Sequence, residues 1–346
     1  MNIFIGKNNL CNLGTYLSDS SIHRLYIITD ETVNDLYMEY LKSSVDDFNT
    51  YVYILPPGEE NKSIDNVLSI YDDLIGKGID RKTLILSFGG GVVGDMTGFV
   101  ASTYKRGLRY LQIPTTLLAQ VDSSIGGKTG FDYKGIKNII GSFYFPEAIF
   151  TDVTFLKSLP KREITCGLGE VFKYGLIEDY NLFQFAKDNL DYIYSKDLDT
   201  LMSIVDRSVA IKKNIVSRDR YDVGLRNILN FGHTIGHSIE AFYDFNKFNH
   251  GEAVILGMMY EFYMALELGL IEKEYFQEVF HTLNSILSPI LFSQKEIEEL
   301  IDIMRNDKKN VDNNIVFVLP VDKGKVHVFY SIEEDLIVKA LKGDWF

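Results

Sequence analysis

Apolar positions along this chain follow two different rhythms. Over the first 150 residues, short β-branched runs alternate with helical patterns. Residues 24–30 (RLYIITD), 51–58 (YVYILPPG), 83–91 (TLILSFGGG) and 108–116 (LRYLQIPTT) read as strands, several ending in turn residues. Between them, 63–78 (SIDNVLSIYDDLIGKG) has apolar residues at 64, 67, 68, 70, 71, 74 and 75, which is helical spacing closed by glycine. Strands alternating with helices predict βαβ units and a largely parallel sheet.

Past residue 155 the rhythm changes. Segments 164–178, 197–216, 234–245, 252–270 and 272–287 carry helical periodicity, and strand patterns return only at 315–320 and 326–330. The expected architecture is an N-terminal α/β domain followed by a mainly α-helical C-terminal domain, with the boundary near residues 150–160. No internal repeat or low-complexity linker interrupts the chain.

Composition narrows the classes. At 346 residues, 46% apolar and 24% charged, the chain has the profile of a globular protein with a large core. A net charge of −13 argues against non-specific nucleic-acid binding, which needs cationic surface. Cys11 and Cys166 lie outside any CxxC pattern and are each expected to be buried small apolar residues. The N-terminal MNIFIGKNNL lacks the basic and apolar regions of a secretory signal, and no run approaches the roughly 18 apolar residues of a membrane span. A cytoplasmic protein without membrane partners is the expectation.

Four stretches carry chemistry. SFGGGVVGDMTGFVAS (87–102) follows a strand and opens a helix; its glycines let a ligand approach backbone N–H groups that favour phosphate. It is neither a GxGxxG fingerprint nor a P-loop. In 113–141, Thr115, Thr116, Asp122, Lys128, Lys137 and Asn138 lie among five glycines, a setting suited to anionic groups. In EITCGLGEVFKYGLI (163–177), Glu170 and Lys173 share a helix face, as a surface ion pair or with Glu170 as a hard-oxygen metal ligand. Residues 226–252 hold Arg226, Asn230 and Glu252, and three of the six histidines: His233, His237 and His250. The i,i+4 pair His233–His237 would share one face, but Thr234 stands where a zincin needs glutamate. This concentration of imidazoles points to a metal-centred site.

These motifs, with PPGEENKS (56–63), LRNILNFGHTIGH, NHGEA and DKKN (307–310), closely resemble the 3-dehydroquinate synthase family over nearly the whole chain. The resemblance implies a lyase of the shikimate pathway, on the route to chorismate and the aromatic amino acids. It would convert 3-deoxy-D-arabino-heptulosonate 7-phosphate to 3-dehydroquinate and phosphate by transient oxidation, phosphate elimination, reduction, ring opening and intramolecular aldol closure. It also implies NAD, a divalent metal (usually zinc, with cobalt an alternative) and a homodimer. On this resemblance the α/β N-terminal part is a Rossmann-like nucleotide-binding domain over 1–155, and the mainly α-helical C-terminal part is a metal- and substrate-binding domain over 156–346, with an active site expected in the cleft between them. Another sugar-phosphate cyclase, or a polyol dehydrogenase of the wider superfamily, is the alternative.

By the same resemblance, Glu170, His233 and His250 are the metal ligands and His237 is a substrate and proton-relay residue. Asp122, Lys128, Asn138, Lys173, Lys212, Arg226, Asn230 and one of Lys308 and Lys309 would line the substrate pocket. Arg106 would reach the substrate phosphate across the dimer interface. Asp30, Glu59, Lys62, Gly90, Gly91, Asp95, Thr115, Thr116, Lys128, Lys137 and Ser158 would contact the cofactor; Ser158 replaces the family's usual threonine there and keeps a hydroxyl.

Overall fold

The structure, a computed structural model, describes residues 2–18, 22, 24–306, 314–343 and 345. In chain order the first half contains β1 (Asn2–Gly6), α1 (Leu13–Ser18), β2 (Arg24–Asp30), α2 (Glu31–Ser43), β3 (Asn49–Leu55), α3 (Ile64–Gly76), β4 (Leu84–Gly89), α4 (Gly91–Thr103), β5 (Tyr110–Pro114), β6 (Lys128–Tyr133), β7 (Ile136–Phe143) and β8 (Ala148–Asp152). Helices α5 (Lys161–Ile177), α6 (Tyr180–Asp188), α7 (Leu190–Tyr194), α8 (Leu198–Arg218), α9 (His233–Phe242), α10 (His250–Glu267), α11 (Lys273–Asn284) and α12 (Gln294–Arg305) follow. The chain then forms β9 (Phe317–Asp322), β10 (Lys325–Phe329) and α13 (Glu334–Lys342). Two compact units emerge: Met1–Ile164 with Ser195–Val209, and Thr165–Tyr194 with Ala210–Phe346.

The first unit is built on a six-stranded sheet of order β1-β8-β5-β4-β2-β3, parallel at every pairing. Alternation along each strand sends successive side chains to opposite faces. Leu25, Ile27, Leu84, Leu86 and Leu111 pack with Leu13, Leu17 and Leu41 of α1 and α2. Tyr26, Ile28, Ile85 and Tyr110 pack with Val67, Ile70 and Leu74 of α3 and Val93, Met96 and Val100 of α4. Both faces are thus covered, as a parallel sheet requires. β2 lies between β3 and β4, so the strand order reverses there. The crevice beyond the carboxyl ends of β2 and β4 is where such sheets bind ligands.

Two elements of this unit depart from expectation. The glycine- and lysine-rich segment after β5 was expected only as a ligand-binding stretch, yet it folds into the antiparallel β6–β7 ribbon. Its strands lack apolar–polar alternation, and much of β7 is exposed. Residues 148–152, expected near the domain boundary, pair with both β1 and β5. Cys11 is exposed, against expectation, whereas Cys166 is buried; both are free thiols.

In the second unit α10 is the central element. Residues 251–265 are all buried, so it is apolar on every side, as a core helix is. Close backbone approach explains its glycines. A Cβ on Gly257 would lie 1.9 Å from the Gly232 carbonyl oxygen, placing α9 against α10. Gly232 itself has φ 77, which favours glycine, and caps the start of α9.

Candidate metal centre and nucleotide site

In the second unit three helices each deliver one group to a common point. Glu170 comes from the middle of α5, His233 is the first residue of α9, and His250 is the first residue of α10. His250 owes its position to a capping box: Asn249 Oδ1 accepts the Glu252 N–H at 3.0 Å, and Glu252 Oε2 accepts the Asn249 N–H at 2.9 Å. Glu252, which stood out with the histidines in sequence, is therefore a helix cap.

Glu170 Oε1 lies 3.4 Å from His233 Nε2 and 3.3 Å from His250 Nε2. A tetrahedral zinc with bonds of about 2.0–2.1 Å separates its ligand atoms by about 3.3–3.4 Å. Both Glu170 oxygens are sealed from water and meet no partner in hydrogen-bond geometry. One buried carboxylate, ion-paired to Lys173, and two imidazoles at co-ligand spacing from it fit a divalent cation.

The electrostatics point the same way. Burial opposes charge on Glu170, but the Lys173 ammonium and the two imidazoles outweigh it and hold the carboxyl well below the usual carboxylate range. Burial, helped by the Lys173 charge, pushes His233 down to about 3, so its ring is neutral at pH 7. Its Nδ1 sits 2.9 Å from the Phe231 carbonyl, which can only accept; Nε2 therefore keeps its lone pair. Burial also opposes charge on His250, but Glu170 and Glu240 raise it to about 10.

Of the other assigned residues of this unit, His237 and Lys173 lie against that point. The His237 ring centroid is 5.2 Å from that of His233 and 5.8 Å from that of His250. Lys173 is buried against Glu170, so this pair is not the surface ion pair that sequence also allowed. Lys212 of α8 and Arg226 are buried; Asn230 and His237 are half-buried. Asp219 fixes the loop that carries Arg226, its carboxylate accepting the N–H groups of Val223, Gly224 and Arg226 at 2.9, 2.9 and 3.0 Å. Lys308 and Lys309 lie outside the described residues.

In the first unit several of the cofactor assignments follow the carboxyl ends of β2, β4 and β5. Asp30 ends β2, and its carboxylate accepts the Val33 N–H at 3.0 Å as the cap of α2. Gly90 and Gly91 join β4 to α4, and a Cβ on Gly90 would meet the Thr116 methyl at 3.1 Å. Thr115 follows β5 and is buried. Buried Lys62 reaches Asp95 Oδ2 at 2.6 Å, and Lys137 lies 4.0 Å from Glu59. Burial disfavours the Lys62 charge, yet Asp95, together with Glu59 and Asp132, more than restores it and raises the group above its ordinary value.

Asp122 lies on the turn Ala119–Ser123; Lys128 begins β6 and Asn138 sits on β7 with φ 50. Ser158 is exposed, its hydroxyl donating to the Phe155 carbonyl at 3.1 Å. Exposed Arg106 has φ 64 beside Lys105 at φ 49, a left-handed pair rare outside glycine.

Sequence reading passed over three buried acids: Asp219, which fixes the Arg226 loop, and Glu240 and Glu261, which touch the frame of the candidate metal centre. Glu261 Oε2 accepts the Gly232 N–H at 2.6 Å, just before His233. One signal was available for Glu261, a lone carboxylate in the apolar run EAVILGMMYEFYMAL; for Glu240 it was the i,i+4,i+7 spacing with His233 and His237.

Comparison with known proteins places this arrangement. Residues 52–166 match the family model of the 3-dehydroquinate synthase N-terminal region, and residues 167–310 match that of its C-terminal region. The chain is 46% identical over 322 residues to a 3-dehydroquinate synthase of Dictyoglomus thermophilum (strain ATCC 35947 / DSM 3960 / H-6-12), covering 93% of this chain and 89% of that protein. It is 42% identical over 334 residues to one from Alkaliphilus metalliredigens (strain QYMF), covering 96% and 93%. A solved 2-epi-5-epi-valiolone synthase from Streptomyces hygroscopicus subsp. jinggangensis 5008, with NAD+ and Zn2+ bound, superposes with a TM-score of 0.91 at 26% identity, covering 98% of this chain and 95% of that one. The chain belongs to the 3-dehydroquinate synthase family.

Proposed function

We propose that this chain converts 3-deoxy-D-arabino-heptulosonate 7-phosphate to 3-dehydroquinate and phosphate, with NAD and a divalent metal, zinc first. The observation that carries the reading is the Glu170–His233–His250 cluster at 3.3–3.4 Å. Bound to these units, the metal supplies a Lewis acid for adjacent substrate hydroxyls and NAD a reversible hydride acceptor.

The chain's own residues do the rest. His237, beside the ligand histidines, moves the proton of a substrate hydroxyl. Arg226 and Lys212, buried cations, hold the anionic groups of the sugar phosphate, with Lys173, Asn230 and one of Lys308 and Lys309. Asp122, Lys128 and Asn138 orient the substrate from the first unit. Gly90, Gly91, Thr115 and Thr116 cradle the cofactor with Asp30, Glu59, Lys62, Asp95, Lys137 and Ser158. Most of the cofactor contacts thus come from residues 1–155 and all three metal ligands from 156–346.

The active species is a homodimer acting in the cytoplasm. Supporting the dimer, Arg106 is exposed in a strained backbone, and the β6–β7 ribbon exposes Tyr133, Ile136, Ile139 and Phe143. Supporting the compartment, both cysteines are free. Among the described residues no helix is long and apolar enough to cross a membrane.

The decisive experiment is phosphate release from several sugar phosphates, with and without NAD and a chelator. Release from the heptulosonate phosphate that needs both cofactors and leaves no net NADH is expected. Stoichiometric NADH accumulation would sink the cyclase reading in favour of a dehydrogenase.

A further inference from the structure

We infer that Glu240 is a positioning residue of the metal centre: its carboxylate holds His250 in the ring orientation and tautomer that aim Nε2 at Glu170. The inference rests on the metal reading above. Glu240 is buried in the last turn of α9, where no basic residue offsets it. A carboxylate is disfavoured at that negative helix end, and burial disfavours it further. Its placement calls for a specific partner, and His250 Nδ1 lies 3.2 Å from Glu240 Oε2. An ionised carboxylate only accepts, so Glu240 keeps a proton on Nδ1 and leaves Nε2 as the nitrogen that gives up its proton when a metal binds. That Nε2 is the atom 3.3 Å from Glu170 Oε1.

The two ligand imidazoles are therefore held differently. His233 leans on the Phe231 carbonyl, a neutral acceptor, and His250 on a buried anion. A carboxylate behind a histidine raises its strength as a metal donor and fixes its orientation. The spacing 233, 237, 240 places Glu240 on the same α9 face as His237, and donor atoms of His237, Glu240 and His250 lie within 4.8 Å of one another. Glu240 thus joins the metal ligand to the proposed proton relay.

The test is cobalt binding to the metal-free wild-type, Glu240→Gln and Glu240→Ala chains. It is followed by competition with a chromophoric chelator and by the visible spectrum of bound cobalt, beside thermal unfolding of each metal-free chain. Affinity should fall about 10–100-fold in Glu240→Ala and by less in Glu240→Gln, which keeps an acceptor but drops the charge. The cobalt bands should move in both, with metal-free Glu240→Gln unfolding near the wild-type temperature. If Glu240→Ala does not fold, Glu240→Gln decides. Wild-type affinity and bands overturn the proposal, and so does an affinity loss that only tracks lost metal-free stability. A wild-type chain that binds no cobalt removes the metal reading itself and the proposal with it, and the wild-type control distinguishes that outcome.

Discussion

A Cβ built on Gly251 would lie 1.8 Å from the Cys166 carbonyl oxygen, so the first turn of α10 rests directly on the backbone of α5. Gly169 makes the reciprocal approach, its Cβ position 2.6 Å from the Gly251 carbonyl oxygen. No side chain separates the two helices here. That contact carries His250 to Glu170 across eighty positions of sequence.

Gly251→Ala should therefore damage both packing and metal binding. Overpacking costs about 1–3 kcal/mol, and here the clashing atoms are backbone, which cannot rotate away. We expect calorimetry to show a melting temperature lower by several degrees and cobalt titration to show weakened binding. Wild-type cobalt affinity in this variant would show that the contact does not set the site.

The three histidines should separate by role. His250→Ala removes a proposed ligand, and bound metal should be lost on dialysis. His237→Ala should retain the metal, measured by atomic emission, while turnover falls by about 100-fold or more, as for loss of a general acid–base group. Equal metal loss in both variants would overturn the ligand assignment.

Asp219 should make stability depend on acid. The Arg226 N–H, then those of Val223 and Gly224, hold its carboxyl below the ordinary value. A depressed carboxyl contributes stability fully above its unfolded value near 3.8, and loses it as pH falls through the folded value. Urea melts of wild type and Asp219→Asn should differ most above pH 4 and converge below it. A difference that persists unchanged at pH 2 would contradict this account.

The Lys62–Asp95 pair should couple stability to NAD binding. Asp95→Ala leaves a buried ammonium without its partner, a loss of about 3–5 kcal/mol for fully buried pairs and less here, where Asp95 is 20% exposed. Lys62→Met with Asp95→Leu should recover part of that stability, and both variants should bind NAD more weakly by fluorescence titration. Additive stability effects in the double-mutant cycle would rule out the coupling.

Strands 24–30 and 83–91 and helix 63–78 were readable because buried parallel strands and amphipathic helices write their period into the residues themselves. The β6–β7 ribbon was not, because its glycines and lysines carry no alternation. Residues 148–152 are too short a run to announce a strand that is stabilised from both sides by distant partners.

The site divides in the same way. Local sequence determined the glycine turn after β4, the opening of α10 at His250 and the crowding of three histidines, since each depends on neighbours a few positions away. Family resemblance named Glu170 as their companion. Tertiary structure alone decided that Glu170 Oε1 sits at ligand spacing from both Nε2 atoms and that Glu240 stands behind His250. Those relations depend on how closely α5, α9 and α10 approach, and glycines set that distance from positions far apart in the chain.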